Sequence, residues 1–180
     1  MTTTTTFAQL QEIAPDIARP ILDRFGASGL AMLGTVRRDG SPRVSPIEVS
    51  VHDGHLYIGM MPGSRKALDV GRDPRISLVT AIADRNDLGG EGKLFGRAEP
   101  VTDQARAGAV LEAHAEAAGF DPDAVRGSPL FEVVLRGAAW QYVEGDAFVT
   151  RSWTEGGPVR VRRREGATGD VVDVVDVVDE

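Results

Sequence analysis

The sequence contains no cysteine, which excludes a disulfide framework, a thiolate metal site and a thiol nucleophile. Redox chemistry on this chain therefore needs a borrowed cofactor. Histidine is scarce as well: His52, His55 and His114 form no metal-ligand spacing, and turn or surface positions are the expected reading for them. No stretch approaches the ~18 consecutive apolar residues of a membrane helix. Met1 is followed by five threonines rather than by a basic region and an apolar run, so a cytoplasmic location without a membrane partner is expected. Basic charge is outweighed, with 20 Lys and Arg against 27 Asp and Glu, a formal net charge of -7 and a pI near 5. That balance disfavours nucleic acid, whose phosphates require a basic face.

What is present suits one domain. A chain of 180 residues with 42% apolar content can enclose a core without disulfides or a metal. Residues 2 to 6 are low-complexity threonine and are expected to be disordered. Residues 7–165 form the expected domain, and 166–180, with Asp-Val-Val repeated three times, an expected mobile acidic tail.

From Phe7 to Phe25 the apolar residues follow a helical stripe in which Pro15 and Pro20 must start or break turns, which predicts two short helices. Strand-like runs with short turns then dominate. They cover Leu30 to Val36, Pro42 to Val51, His55 to Met60, Ile76 to Ala83, Lys93 to Val101, Leu130 to Val143, Ala147 to Trp153 and Val159 to Arg163. Asp39-Gly40 and Asp53-Gly54 read as hairpin turns. A short helix is expected at about Ser64 to Val70, and a longer one from the Thr102-Asp103 cap to Ala118. This pattern predicts a mainly β chain of the α+β class, closed or half closed into an antiparallel barrel.

Gly63-Ser64-Arg65-Lys66-Ala67 falls where a strand gives way to a helix start, whose free N–H groups and positive dipole end favour an anion. Ser64 adds a hydroxyl, Arg65 a planar fork and Lys66 a mobile charge, so a phosphate monoester could be met on several sides, with Arg43 closing from the neighbouring strand. No Ser-His-Asp or paired-carboxylate set suggests hydrolysis.

Together, Pro42-Arg43-Val44-Ser45-Pro46-Ile47, Asp53-Gly54-His55-Leu56-Tyr57, Gly63 to Ala67 and Arg72-Asp73-Pro74-Arg75-Ile76-Ser77-Leu78 resemble the flavin-binding half of the pyridoxamine 5'-phosphate oxidase superfamily. Gly96-Arg97-Ala98-Glu99, and Trp153 with Gly156-Gly157, extend the likeness over roughly residues 7 to 165. The resemblance implies an antiparallel split β-barrel, a homodimer with two flavins at the subunit interface, and FMN-dependent oxidoreductase activity on a small molecule. By that likeness Arg43, Ser64, Arg65 and Lys66 hold the phosphate, and the backbone of Val44, Ser45, Pro46 and Ile47 lies along the isoalloxazine. Glu91 or Lys93, and Trp153 with Arg163, would complete the site, partly from the second subunit. The oxidase reads its own substrate with a lysine on the second strand and an arginine and a histidine on the closing strand. Glu48, Arg160 and Arg162 stand in those places here, so pyridoxamine phosphate oxidation is not expected. Two other readings stay open: a deazaflavin coenzyme whose anionic tail lies along Arg160, Arg162, Arg163 and Arg164, and a flavin- or haem-binding module without turnover.

Overall fold

The computed structural model describes residues 5–81, 89–119, 121–166 and 169–175. Two helices lead, α1 (Phe7–Ile13) and α2 (Pro15–Ser28). The strands β1 (Leu30–Val36), β2 (Pro42–His52) and β3 (His55–Gly59) follow, then α3 (Arg65–Arg72), β4 (Arg75–Thr80), β5 (Glu91–Pro100), α4 (Gln104–Ala118) and the short α5 (Pro122–Val125). The chain continues with β6 (Leu130–Glu144), β7 (Ala147–Thr154), β8 (Arg160–Glu165) and β9 (Val171–Val175).

The sheet order is β3-β2-β1-β4-β5-β6-β7-β8-β9, and β6 also pairs with β3, which closes six antiparallel strands into a barrel. The length of β6 makes this possible. Its first residues, Leu130 to Glu132, meet β3, while Gly137 to Glu144 meet β7 and carry the sheet outward. Between these two stretches Leu135 donates its N–H to the Thr5 carbonyl at 2.9 Å. Thr5 is therefore buried and Thr6 caps α1, which corrects the expectation of disorder for these two threonines; residues 1–4 lie outside the described residues.

The core fills the barrel and continues under the first two helices. Leu33, Leu56, Ile58, Leu78, Leu94 and Leu135 pack with Phe7, Leu10, Ile17 and Ile21. That packing explains a second correction. Pro15 starts α2, as its missing N–H allows at a first-turn position, but Pro20 lies inside the helix without ending it. The lost hydrogen bond is offset because Ile17, Ala18, Ile21 and Phe25 are all buried together. The turn between β2 and β3 takes positive φ at both Asp53 (48°) and Gly54 (76°), the two-residue hairpin geometry that matches strand twist.

A third correction concerns the end of the chain. Val171–Val175 pairs with β8 as an edge strand instead of remaining a mobile tail, in a register that sets Asp173 opposite Arg162. A period of three cannot give one apolar face, yet an edge strand needs only backbone pairing with its neighbour. Residues 176–180, and 82–88 between β4 and β5, lie outside the described residues.

Candidate functional site

β2 pairs with β1 along Pro42 to Glu48, whereas β3 joins it only from Val49 to His52. One edge of β2 from Pro42 to Glu48 therefore has no strand partner, and the barrel is split there. Val49 N–H donates to the Gly29 carbonyl at 3.2 Å, so the odd residues of β2 turn their backbone groups toward β1 and the even residues turn theirs to the open edge. Pro42 and Pro46 have no N–H, which leaves the amides of Val44 and Glu48 as the donors available there. The Pro46 carbonyl accepts a hydrogen bond from Lys66 Nζ at 2.7 Å.

α3 lies across the end of this strand pair. Ser64 caps it by accepting from the Ala67 amide, and the buried Asp69 ties it to the barrel. Asp69 Oδ2 accepts from Arg43 Nε at 2.6 Å and from Thr35 Oγ1 at 3.1 Å, while Oδ1 accepts from Arg72 Nη2 at 3.2 Å. Burial pushes the Asp69 carboxyl up, but the hydrogen bonds from Arg43, Arg72 and Thr35 together outweigh it and hold the group below its ordinary value. Arg72 also donates to the Val36 carbonyl at 2.6 Å. The result is a cleft of about 680 Å³ lined by Arg37, Arg38, Arg43, Arg65 and Arg72 with Asp39, Leu68 and Asp69. Arg38 and Arg65 have no ion-pair partner among the described residues.

Arg43 and Arg65 thus meet in one basic cleft, as the sequence suggests. Lys66 does not share its lining; it leans back on β2, where burial lowers its pKa against the opposing pull of the Glu48 charge. Ser64 acts as helix cap. Val44 is exposed on the outer face of β2, while Ser45 and Ile47 face inward with Arg43, Ile47 in the core. Ser45 Oγ is buried with no hydrogen-bond partner, an unmatched polar atom two residues along the strand from Arg43. These features fit a phosphate-bearing planar group: guanidinium forks at one end and free amides along the open edge.

The remaining predicted residues are not brought to the cleft within one chain. Glu91 and Lys93 pair with each other at 2.5 Å on β5, three strands from β2. Trp153 is buried in the core on β7, opposite Ala138. Arg163 on β8 donates to Glu144 at 2.5 Å and Glu165 at 2.6 Å. Arg160, Arg162 and Arg164 share one face of β8 and Arg163 the other, two strands beyond the closed barrel. The sequence reading also missed Asp69, Arg72, Arg37 and Arg38; a lone carboxylate within the basic run 65–72 was the available signal.

A six-stranded antiparallel barrel split along β2, with an arginine-lined cleft at the open end, defines a split-barrel protein. The family model described as pyridoxamine 5'-phosphate oxidase matches residues 19–143, and the chain belongs to that family. No curated protein matches it. Among solved structures it resembles a conserved hypothetical protein of Mycobacterium tuberculosis, with 24% identity and a TM-score of 0.58 over 76% of this chain and 83% of that one. A haem-binding protein of Mycobacterium smegmatis shows 20% identity and a TM-score of 0.58 over 75% of this chain and 57% of that one. A structure named F420 reductase shows 18% identity and a TM-score of 0.50 over 61% and 87%. At such identities the likeness is one of fold.

Proposed function

We propose that this chain is a flavin-dependent oxidoreductase that binds FMN, works as a cytoplasmic homodimer and acts on a small molecule other than pyridoxamine phosphate. The observation that carries the reading is Arg43, aimed by the buried Asp69 into the cleft that also holds the unpaired Arg65, at the end of the open β2 edge. Arg65 and Arg43 would hold the phosphate. The Val44 and Glu48 amides would meet polar edges of the ring system, with the Lys66 charge beside them. Bound flavin would supply the electron transfer, while these residues bind, orient and exclude water.

A second reading draws on a particular feature. Arg37 and Arg38 add charge to the cleft beyond what one phosphate monoester takes up, which suits a coenzyme with further anionic groups such as a deazaflavin. A haem reading has less support, because each imidazole lies beside a carboxylate: His52 by Asp53, His55 by Glu132 and His114 by Glu48.

The absorbance spectrum of the purified protein separates the three, as paired flavin bands, a single deazaflavin band or a Soret band. Arg65→Ala should weaken FMN by about tenfold or more while leaving riboflavin affinity nearly unchanged. Lys66→Met should weaken both alike, because Lys66 lies at the strand edge and not in the cleft. An Arg65→Ala protein that still favours FMN over riboflavin as strongly as the wild type would overturn the phosphate assignment.

A further inference from the structure

A second recess adjoins β2 at its other end and has the opposite electrostatic character. Between the end of α2, the Glu48 to His52 stretch of β2 and α4 lies a groove of about 620 Å³. Leu30, Val49, Val110, Ala113 and Ala117 give it apolar walls. Its lining includes one carboxylate, Glu48, and neither lysine nor arginine; His52 and His114 are its other titratable groups. Glu48 Oε2 lies 3.2 Å from His114 Nε2. The second carboxylate oxygen has no hydrogen-bond partner among the described residues, and the side chain is 46% exposed, so it is reachable by a ligand. Arg43 and Glu48 are five residues apart on one extended strand, about 17 Å, which separates this groove from the arginine cleft.

We propose that this groove is a binding site for a small apolar molecule carrying a cationic amine, the ammonium group meeting Glu48 and the apolar body lying against the alanine face of α4. Concave volume, apolar walls and one convergent charged group are the ordinary makings of a small-molecule site. The sign of the charge selects the ligand class: Lys66 lies within reach of the Glu48 charge but is anchored on the Pro46 carbonyl outside the groove's lining, so within the groove an anion meets the carboxylate and the imidazoles, whereas an ammonium gains a charge-assisted hydrogen bond. If the flavin reading holds, this is where its substrate enters, but the binding prediction stands without it.

The test uses three ligands with one aromatic body and three charges: tryptamine, tryptophol and indole-3-acetate, titrated into the full chain by calorimetry and by amide chemical-shift mapping. Tryptamine should bind about tenfold tighter than indole-3-acetate, with tryptophol between them, and the shifts should centre on Ala113 and His114. Glu48→Gln should bring the three to within about twofold, and Ala113→Phe should fill the groove and abolish binding. Should Ala113→Phe fail to fold, the exposed Glu48 substitution still decides. Preference for the anion, a charge ranking that survives Glu48→Gln, or no saturable binding below about 10 mM would each overturn the proposal. The flavin spectrum recorded on the same samples reports separately on the cofactor reading.

Discussion

Asp69 is the residue on which the basic cleft depends. It is a single carboxylate, 6% exposed at its side chain, that orients two guanidinium groups and a hydroxyl from three elements. Breaking such a buried pair leaves charge without compensation, so Asp69→Asn should destabilise the fold by about 3 kcal/mol in urea denaturation. It should also loosen FMN, because Arg43 would no longer be aimed. The carboxyl is held below its ordinary value, so its contribution to stability is complete above an unfolded pKa of ~4 and is lost as pH falls through the lower folded value. Wild-type stability should therefore drop on acidification below about pH 4, and the Asn variant should show a flatter profile over that range. An unchanged acid limb would show that Asp69 is not linked to folding.

At the scale of elements, two local devices hold the barrel and its long helix together. The register between β5 and β6 shifts at Phe95 and Gly96, where a Cβ on Gly96 would lie 2.0 Å from the Val134 carbonyl oxygen. No side chain fits against backbone at that distance, so Gly96→Ala should cost roughly 3 kcal/mol or prevent folding, read from expression and thermal denaturation. α4 is tied down differently. The buried Tyr57 hydroxyl accepts from Arg106 Nε at 3.0 Å and Nη2 at 2.5 Å, Arg106 also donates to Glu132 at 2.8 Å, and His55 meets the same carboxylate at 2.5 Å. Tyr57→Phe removes only the acceptor, so a loss of about 1.5 kcal/mol is expected, with faster amide exchange in the first turn of α4 than in the barrel strands. Uniform exchange would argue against a local tether.

At the scale of the molecule, the strand registers gather apolar side chains on the outside of the barrel. Leu30 pairs with Glu48, Met32 with Pro46, Gly34 with Val44, and Ser77 of β4 links Gly34 to Phe95 of β5. Met32, Val44 and Phe95 are 37%, 66% and 45% exposed, so beyond Leu30, which lines the groove, this outer face carries three large unburied hydrophobic groups. With the flavin reading, this face is where a second copy would dock, beside the open edge of β2 and the Glu91–Lys93 pair. Val44→Asp with Phe95→Glu should convert a dimer into a monomer in light scattering and lower flavin retention in parallel. A wild-type monomer that holds flavin tightly would instead confine the site to one chain.

Much of this was legible in the sequence because it is local. Alternating strand faces, the Asp53-Gly54 turn, the Asp103 cap and the clustered Arg65 follow from short-range sterics and hydrogen bonding, which a linear pattern records. Pro20 and the last strand were read wrongly because the burial of one face of α2 and the pairing of 171–175 with β8 are supplied by distant parts of the chain. The same holds for the site. Sequence placed Arg43 and Arg65 in one cluster, but only the tertiary structure brought Asp69, Arg72, Arg37 and Arg38 to them, moved Lys66 to the strand edge, and joined Glu48 to His114 across 66 residues. Those contacts depend on barrel closure and on helices crossing strand ends, and no spacing in the sequence encodes which side chains such crossings bring within hydrogen-bonding reach.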